Sequence, residues 1–151
     1  MKKANVRTAI SIMQRAAMRD CISMVAYQRG RSRGDIDAHE VIATTEEQLH
    51  RRGNTACFAG YVAVSREWAA AGNTISEDGE PVLAGDKAGA TSSSEAIAEW
   101  LGISHDLARG LVFGSRTWRQ NHVMFYDVPF SEVKAEDVIA KLEMILSGEL
   151  V

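Results

Sequence analysis

The chain has 151 residues and a formal net charge of −3, and 46% of its residues are hydrophobic. These values exclude wholesale disorder, and the length suits one globular domain whose core needs neither a disulfide nor a metal. No apolar run approaches the roughly 20 residues that span a bilayer, and no signal segment is evident. We therefore expect a protein of the cytosol that makes no membrane contact.

Charge is distributed unevenly along the sequence. The first 34 residues hold eight Lys and Arg and one acidic residue, a balance of +7, whereas residues 35–151 have a balance of −10. Two interpretations stay open. The basic end compensates the acidic body internally, or it presents a basic face to an acidic partner.

Hydrophobic periodicity predicts a long amphipathic helix from about residue 4 to residue 27. Its expected packing partner is the uncharged stretch 53–65, interpreted as a buried central helix that is capped by Asn54 or Thr55 and runs on to Ala71. A capping box at residues 44–48 starts a short helix before it. His50 at the end of that short helix is expected to meet free carbonyls, a structural role.

Residues 29–34 form a Gly-rich basic loop that carries Arg29, Arg31 and Arg33. Three guanidinium groups within five residues suit phosphates or a carboxylate-rich protein face. The plainer alternative is surface arginine in solvent. No Walker pattern or GxGxxG motif supports a nucleotide-binding loop here.

The second half of the chain predicts further short elements. Asp78-Gly79 suits a tight hairpin turn inside a flexible insertion, residues 74–91. Helices are expected at 94–101, 106–113 and 135–147, whereas 115–130 is expected to be irregular, with one strand at 123–128 and aromatic side chains folded over the core. The predicted fold class is mainly α: a compact helical single domain around a buried central helix, with a small β-hairpin insertion.

Two segments invite a binding role. Residues 98–104 match the outline of a helix-turn-helix, although the second helix offers few donors to DNA, namely His105 and Arg109 beside Asp106. The other segment suits stacking on a base or gripping an acidic ligand, unless its Trp merely anchors a loop among solvated arginines. Its members are Arg116, Trp118, Arg119 and His122.

Signals for catalysis and metal binding are absent from the sequence. No GxSxG or HExxH motif occurs, and the four histidines show no zinc-site spacing with Cys21 or Cys57. Both cysteines are expected to be buried thiols, with Cys57 unreactive. We therefore predict no catalytic residues, no cofactor and no metal.

Two motifs resemble a family of small uncharacterised proteins from tailed phages and bacteria. Residues 46–50 and 53–65 resemble a run of this family that includes a CG[NT]xACxAG helix, and 98–103 resembles its later Axx[LW]LG[IL] helix. The resemblance covers most of the chain from Glu46 onward, and the closing helix is similar as well. It implies no activity. Arg52 stands where the family has its first cysteine, which counts against a paired-cysteine or metal role.

The sequence is compatible with three functions. The leading hypothesis is a non-enzymatic phage-type protein that binds a host protein in counter-defence or host takeover, within the cytoplasm of an infected or lysogenic bacterium. Its contact surfaces would be the Arg29–Arg33 loop and the segment from Arg116 to His122. The alternatives are a helix-turn-helix DNA-binding regulator and a domain that sequesters a small anionic ligand. The anion site would comprise Arg51, Arg52, Asn54 and Thr55. A homo-oligomer is compatible with each.

Overall fold

A computed structural model describes residues 1–19, 22–24, 29–30, 34–35, 42–51, 54–86, 90–118 and 121–151. For residues 29, 30, 34, 35, 117, 118, 121 and 122 it describes the backbone alone. The protein is mainly helical, which confirms the predicted fold class. The α-helices are α1 (Lys3–Arg19), α2 (Glu46–Arg51), α3 (Phe58–Val64), α4 (Arg66–Ala70), α5 (Ser93–Leu101), α6 (His105–Phe113) and α7 (Ala135–Ser147).

Short antiparallel strand pairs lie between the helices. They are β1 (Arg29–Gly30) with β2 (Gly34–Asp35), β3 (Thr74–Ile75) with β4 (Pro81–Val82), and β5 (Ser115–Trp118) with β6 (Asn121–Met124). The β3–β4 pair confirms the predicted hairpin, and Gly79 in its turn has a φ of 86°. Strands β1 and β2 correct the expectation of a plain loop at residues 29, 30 and 34, whereas residues 31–33 lie outside the described residues.

The N-terminal helix is shorter than its hydrophobic pattern predicts. α1 packs along α7 and ends at Arg19, and residues 22–24 are not helical. Ile22 forms a parallel bridge with Ala56, and the amide of Ser23 donates to the carbonyl of Ala56 at 2.9 Å. The predicted extension of the helix is wrong at residues 22–24, because Ile22 and Ser23 pair with the chain that leads into α3. The rest of the predicted extension, residues 20, 21 and 25–27, lies outside the described residues.

The central helix is buried along its whole length, as predicted, but its boundaries differ. Every residue of α3 is buried. The helix begins at Phe58 rather than near Thr55, and its cap is Cys57, whose Sγ accepts a hydrogen bond from the amide of Gly60. It ends at Ser65, whose extended backbone (ψ 145°) breaks the helix and whose hydroxyl accepts from the amide of Trp68 to start α4. The continuous helix to Ala71 is therefore wrong.

The C-terminal half follows the prediction except in one hairpin. α5 and α6 are capped by Ser92 and Ser104 and are joined through Gly102, which has a φ of 65°. The segment predicted to be irregular instead contains the β5–β6 pair, whose second strand is Asn121–Met124 rather than 123–128. Phe125 and Tyr126, which follow that strand, are buried, which confirms that aromatic side chains fold over the core.

Candidate functional site, a cleft between α2 and α4

A cleft of about 930 Å³ opens between α2 and the junction of α3 with α4. The last residue of α1 closes one side of it, and the residues before α2 close another. Its lining residues are Arg19, Thr44, Thr45, Glu46, Glu47, His50, Arg51, Val64, Ser65, Arg66, Ala69 and Ala70. This volume lies within the range of sites that bind small molecules.

Helical periodicity explains why the two walls carry these residues. Glu47, His50 and Arg51 are related by three and four positions on α2, so they share one face of that helix. Arg66, Ala69 and Ala70 have the same spacing on α4. Each wall therefore carries one cationic side chain, and the wall formed by α4 adds two small apolar ones.

The Arg15 guanidinium fixes the two walls relative to each other. Its Nε donates to Glu46 Oε2 at 3.0 Å, and one terminal nitrogen donates to Glu46 Oε1 at 2.6 Å and to Glu67 Oε2 at 2.9 Å. Burial alone would raise the pKa of Glu67, but hydrogen bonds from its own backbone amide and from Arg15 outweigh burial and lower it. Glu46 begins α2 and Glu67 lies in the first turn of α4, so one arginine joins both helices.

The wall formed by α2 is joined to the core through His50. Its Nε2 is hydrogen-bonded to the hydroxyl of Tyr61, a fully buried side chain of α3. Burial of the ring, together with the positive charge of Arg19, lowers the pKa of His50 below its ordinary value. His50 is therefore a neutral, oriented imidazole at pH 7. This arrangement corrects the expected role of His50, which bonds a tyrosine rather than free carbonyls.

The cationic side chains at the mouth of the cleft are well exposed. Arg51 is 71% exposed and pairs with Glu47 at 2.7 Å, and Arg66 is 87% exposed and contacts Glu67 at 3.4 Å. Exposed ion pairs of this kind are weak, and a guanidinium carries five N–H donors. Both arginines therefore keep donors for an anionic ligand. Arg19 adds a third positive charge at the end of α1.

Of the residues predicted for an anion site, Arg51 alone lines this cleft within the described part of the chain. Asn54 is 8% exposed, which contradicts its expected place in an anion site that a ligand can reach. Thr55 is half-buried, and both precede the true start of α3, so neither caps that helix. Arg52 lies outside the described residues.

The remaining predicted contact residues are only partly described. Arg31, Arg33 and Arg119 lie outside the described residues, and the backbone alone is described for Arg29, Trp118 and His122. Arg116 is described in full. Its Nε donates to Asp106 Oδ2 at 2.8 Å, and a terminal nitrogen donates to the carbonyl of Val151 at 3.2 Å. Arg116 therefore joins α6 to the end of the chain.

The helix-turn-helix outline corresponds to α5 and α6. His105 at the start of α6 hydrogen-bonds the hydroxyl of Ser94 at 2.9 Å, and Asp106 pairs with Arg116. The next positions of α6, Leu107 and Ala108, are buried. The polar side chains at the start of α6 therefore bond to their own neighbours, and the positions that follow face the core rather than a DNA groove.

Sequence reasoning overlooked Arg19, Arg66 and Tyr61 as members of the site. One signal was present: Glu47, His50 and Arg51 have the spacing of a single polar helix face. Nothing in the local sequence indicates that Arg66 lies across the cleft from these residues, because its position depends on the break between α3 and α4 at Ser65. Cys57 is buried as predicted, and burial raises the pKa of its thiol to about 11.

Within the described residues, no helix is both long and apolar enough to cross a bilayer. The same residues contain no group of three or more His, Cys, Asp or Glu side chains able to hold a metal ion. Comparison of the chain with protein-family models, with curated proteins and with solved structures gives no match. The resemblance to a phage and bacterial family therefore stays a prediction.

Proposed function

We propose that this protein binds a small anionic ligand in the cleft between α2 and α4. The observation that carries the proposal is that two exposed guanidinium groups, those of Arg51 and Arg66, lie on opposite walls of one cleft of ligand size. Bidentate N–H donors on a planar cation suit phosphate and carboxylate groups. The proposal is one of binding, without a catalytic step.

The fixed geometry of the walls supports the same role. Arg15 holds α2 against α4 through two carboxylates, and His50 is oriented by its bond to Tyr61. Because these contacts exist before any ligand enters, little ordering would oppose binding. The neutral imidazole of His50 offers a hydrogen-bonding group without adding the desolvation cost of another charge.

Calorimetric titration with inorganic pyrophosphate, in a buffer free of divalent metal, tests this proposal. We expect a Kd in the micromolar to millimolar range that Arg51→Gln and Arg66→Gln each weaken about tenfold, the effect of losing one charge-assisted hydrogen bond. Arg7→Gln is the matched control, because it removes the same charge from an exposed position of α1 outside the cleft. Absence of binding, or equal losses in all three variants, would contradict the proposal.

The host-protein hypothesis stays a prediction, because the side chains of most of its contact residues are not described. A phage origin and a counter-defence role depend on the family resemblance alone. For the DNA-binding hypothesis, the paired Asp106 and the buried positions that follow it in α6 argue against a base-reading helix. The cleft is consequently the feature with the most specific support.

A further inference from the structure

We infer that the ligand carries a flat apolar ring beside its anionic group, as a nucleotide does, an inference that rests on the proposed function. The apolar part of the cleft is the side of it formed by Val64, Ala69 and Ala70, which we term the alanine shelf. The two alanines are exposed on α4, whereas Val64, the last residue of α3, is buried.

The alanine shelf is chemically distinct from the rest of the cleft. Ala69 and Ala70 follow Arg66 by one turn on α4, so a cation and two methyl groups occupy the same helix face. The side chains of alanine are short and uncharged, so they form an even apolar surface on which a planar ring can lie. On the other wall, His50 supplies the only aromatic ring among the described residues that line the cleft.

The size of the cleft also exceeds what an inorganic anion needs. At about 930 Å³ it can hold an anionic group near the arginines together with a further ring and linker. Thr44 and Thr45 line the same space. The Thr45 hydroxyl accepts from the amide of Gln48 at 3.2 Å, and the Thr44 hydroxyl bonds the Gln48 side chain at 3.2 Å. Each hydroxyl oxygen retains a lone pair that can accept from a sugar hydroxyl.

These features divide the cleft into three chemical parts. Arginines suit phosphate, threonine hydroxyls suit a polar linker, and the alanine shelf with His50 suits a planar base. A nucleoside diphosphate combines all three groups in one molecule. A simple dicarboxylate or phosphate would leave the alanine shelf in water.

Calorimetry with ADP, pyrophosphate and adenosine, in buffer containing EDTA, tests the inference. We expect ADP to bind at least about tenfold more tightly than pyrophosphate, because burial of about 60 Å² of apolar ring surface is worth that factor. Ala69→Gln should abolish the advantage of ADP, so that ADP and pyrophosphate bind this variant with Kd values within about twofold of each other. Ala71→Gln is the matched control, since Ala71, the residue that follows α4, is exposed but does not line this cleft.

The outcomes separate the two proposals. If pyrophosphate binds but ADP binds no more tightly, the ring inference fails and the anion-binding proposal stands. If ADP keeps its advantage in Ala69→Gln, the ring lies elsewhere and the inference also fails. If neither ligand binds, both proposals fail. Adenosine alone should bind more weakly than ADP, because it lacks the group that contacts the arginines, and equal binding would overturn the inference.

Discussion

The Nε2 atom of His50 is hydrogen-bonded to the hydroxyl of Tyr61, a side chain that is fully buried in α3. This bond connects a wall of the cleft to the helix at the centre of the core. A short helix such as α2 has little stability of its own, so tertiary contacts of this kind must hold it in place.

Replacing Tyr61 with Phe should lower the free energy of unfolding by about 1–2 kcal/mol, because the half-buried His50 ring loses its partner. Urea denaturation measures the change. Tyr126→Phe is a useful control: it removes a hydroxyl that donates to the carbonyl of Leu111 at 3.0 Å. Both variants should lose stability, but Tyr61→Phe alone should shift the NMR titration of His50. An unshifted His50 in Tyr61→Phe would contradict the role given to the bond.

Arg15 should show energetic coupling to both carboxylates that it contacts. Its side chain is 31% exposed, and those of Glu46 and Glu67 are 18% and 25% exposed, so solvent screens the pairs only in part. We expect Arg15→Gln to destabilise the protein by about 1–2 kcal/mol. A double-mutant cycle with Glu46→Gln should give a coupling energy of at least about 0.5 kcal/mol, and an additive result would contradict the contact.

The same contact predicts how stability changes in acid. Because the pKa of Glu67 is lowered in the folded protein, the unfolded chain binds its proton first as pH falls. The contribution of Glu67 is therefore present above its ordinary value of 4.5 and is lost as pH falls through the lowered pKa. Urea denaturation at a series of pH values between 6 and 3 measures this effect. The free energy of unfolding should fall less steeply with pH for Arg15→Gln than for the wild type. Equal slopes would contradict the role given to Arg15.

Cys57 should be unreactive in the folded protein and should destabilise it at high pH. Burial raises its thiol pKa from 9.0 to about 11, so the unfolded chain releases this proton first. The contribution of the neutral thiol to the free energy of unfolding is fully present below pH 9. It declines by about 2–3 kcal/mol as pH rises to 11. The difference in free energy of unfolding between the wild type and Cys57→Ala should therefore shrink over this pH range. Rapid alkylation of folded protein at neutral pH, located at Cys57 by mass spectrometry, would contradict the prediction.

Gly110 should tolerate no side chain, although it lies within a helix. An added Cβ would lie 2.3 Å from Cδ2 of Phe125, the residue that follows strand β6. Alanine usually stabilises a helix relative to glycine by about 1 kcal/mol, but here overpacking should reverse the sign and cost about 1–3 kcal/mol. Thermal denaturation measures the change, and Gly110→Ala combined with Phe125→Ala should be less than additive. A stabilised Gly110→Ala would show that the hairpin does not pack there.

The parts of the fold that were predictable depend on local signals. Ser92 with Glu95 forms a capping box at the start of α5, and glycines with positive φ end α5, α6 and α7 at Gly102, Gly114 and Gly148. In contrast, the end of α1 depends on pairing between Ile22 and Ala56, which are far apart in sequence. The break at Ser65 is hidden in the sequence, because Arg66 and Glu67 suit a helix and Trp68 lies one helical turn after Val64.

The candidate site was less predictable than the fold for a related reason. The pair Arg51-Arg52 is visible in the sequence, so a role for Arg51 in binding an anion can be predicted without the tertiary structure. Arg19, His50 and Arg66 come from three different helices, so their convergence depends on how α1, α2 and α4 pack. The stretch before α3 suggested an anion site at Asn54, but the helix starts later and Asn54 is buried.

The central claim is that the cleft between α2 and α4 binds an anion, and NMR titration of isotope-labelled protein with pyrophosphate tests it most directly. Backbone amide shifts should change most at residues 44–51 and 64–70, and the side chain of His50 should shift with them. Arg51→Gln should reduce these changes at equal ligand concentration, and Arg7→Gln should not. Changes centred on other segments, or no saturable change at millimolar pyrophosphate, would contradict the claim.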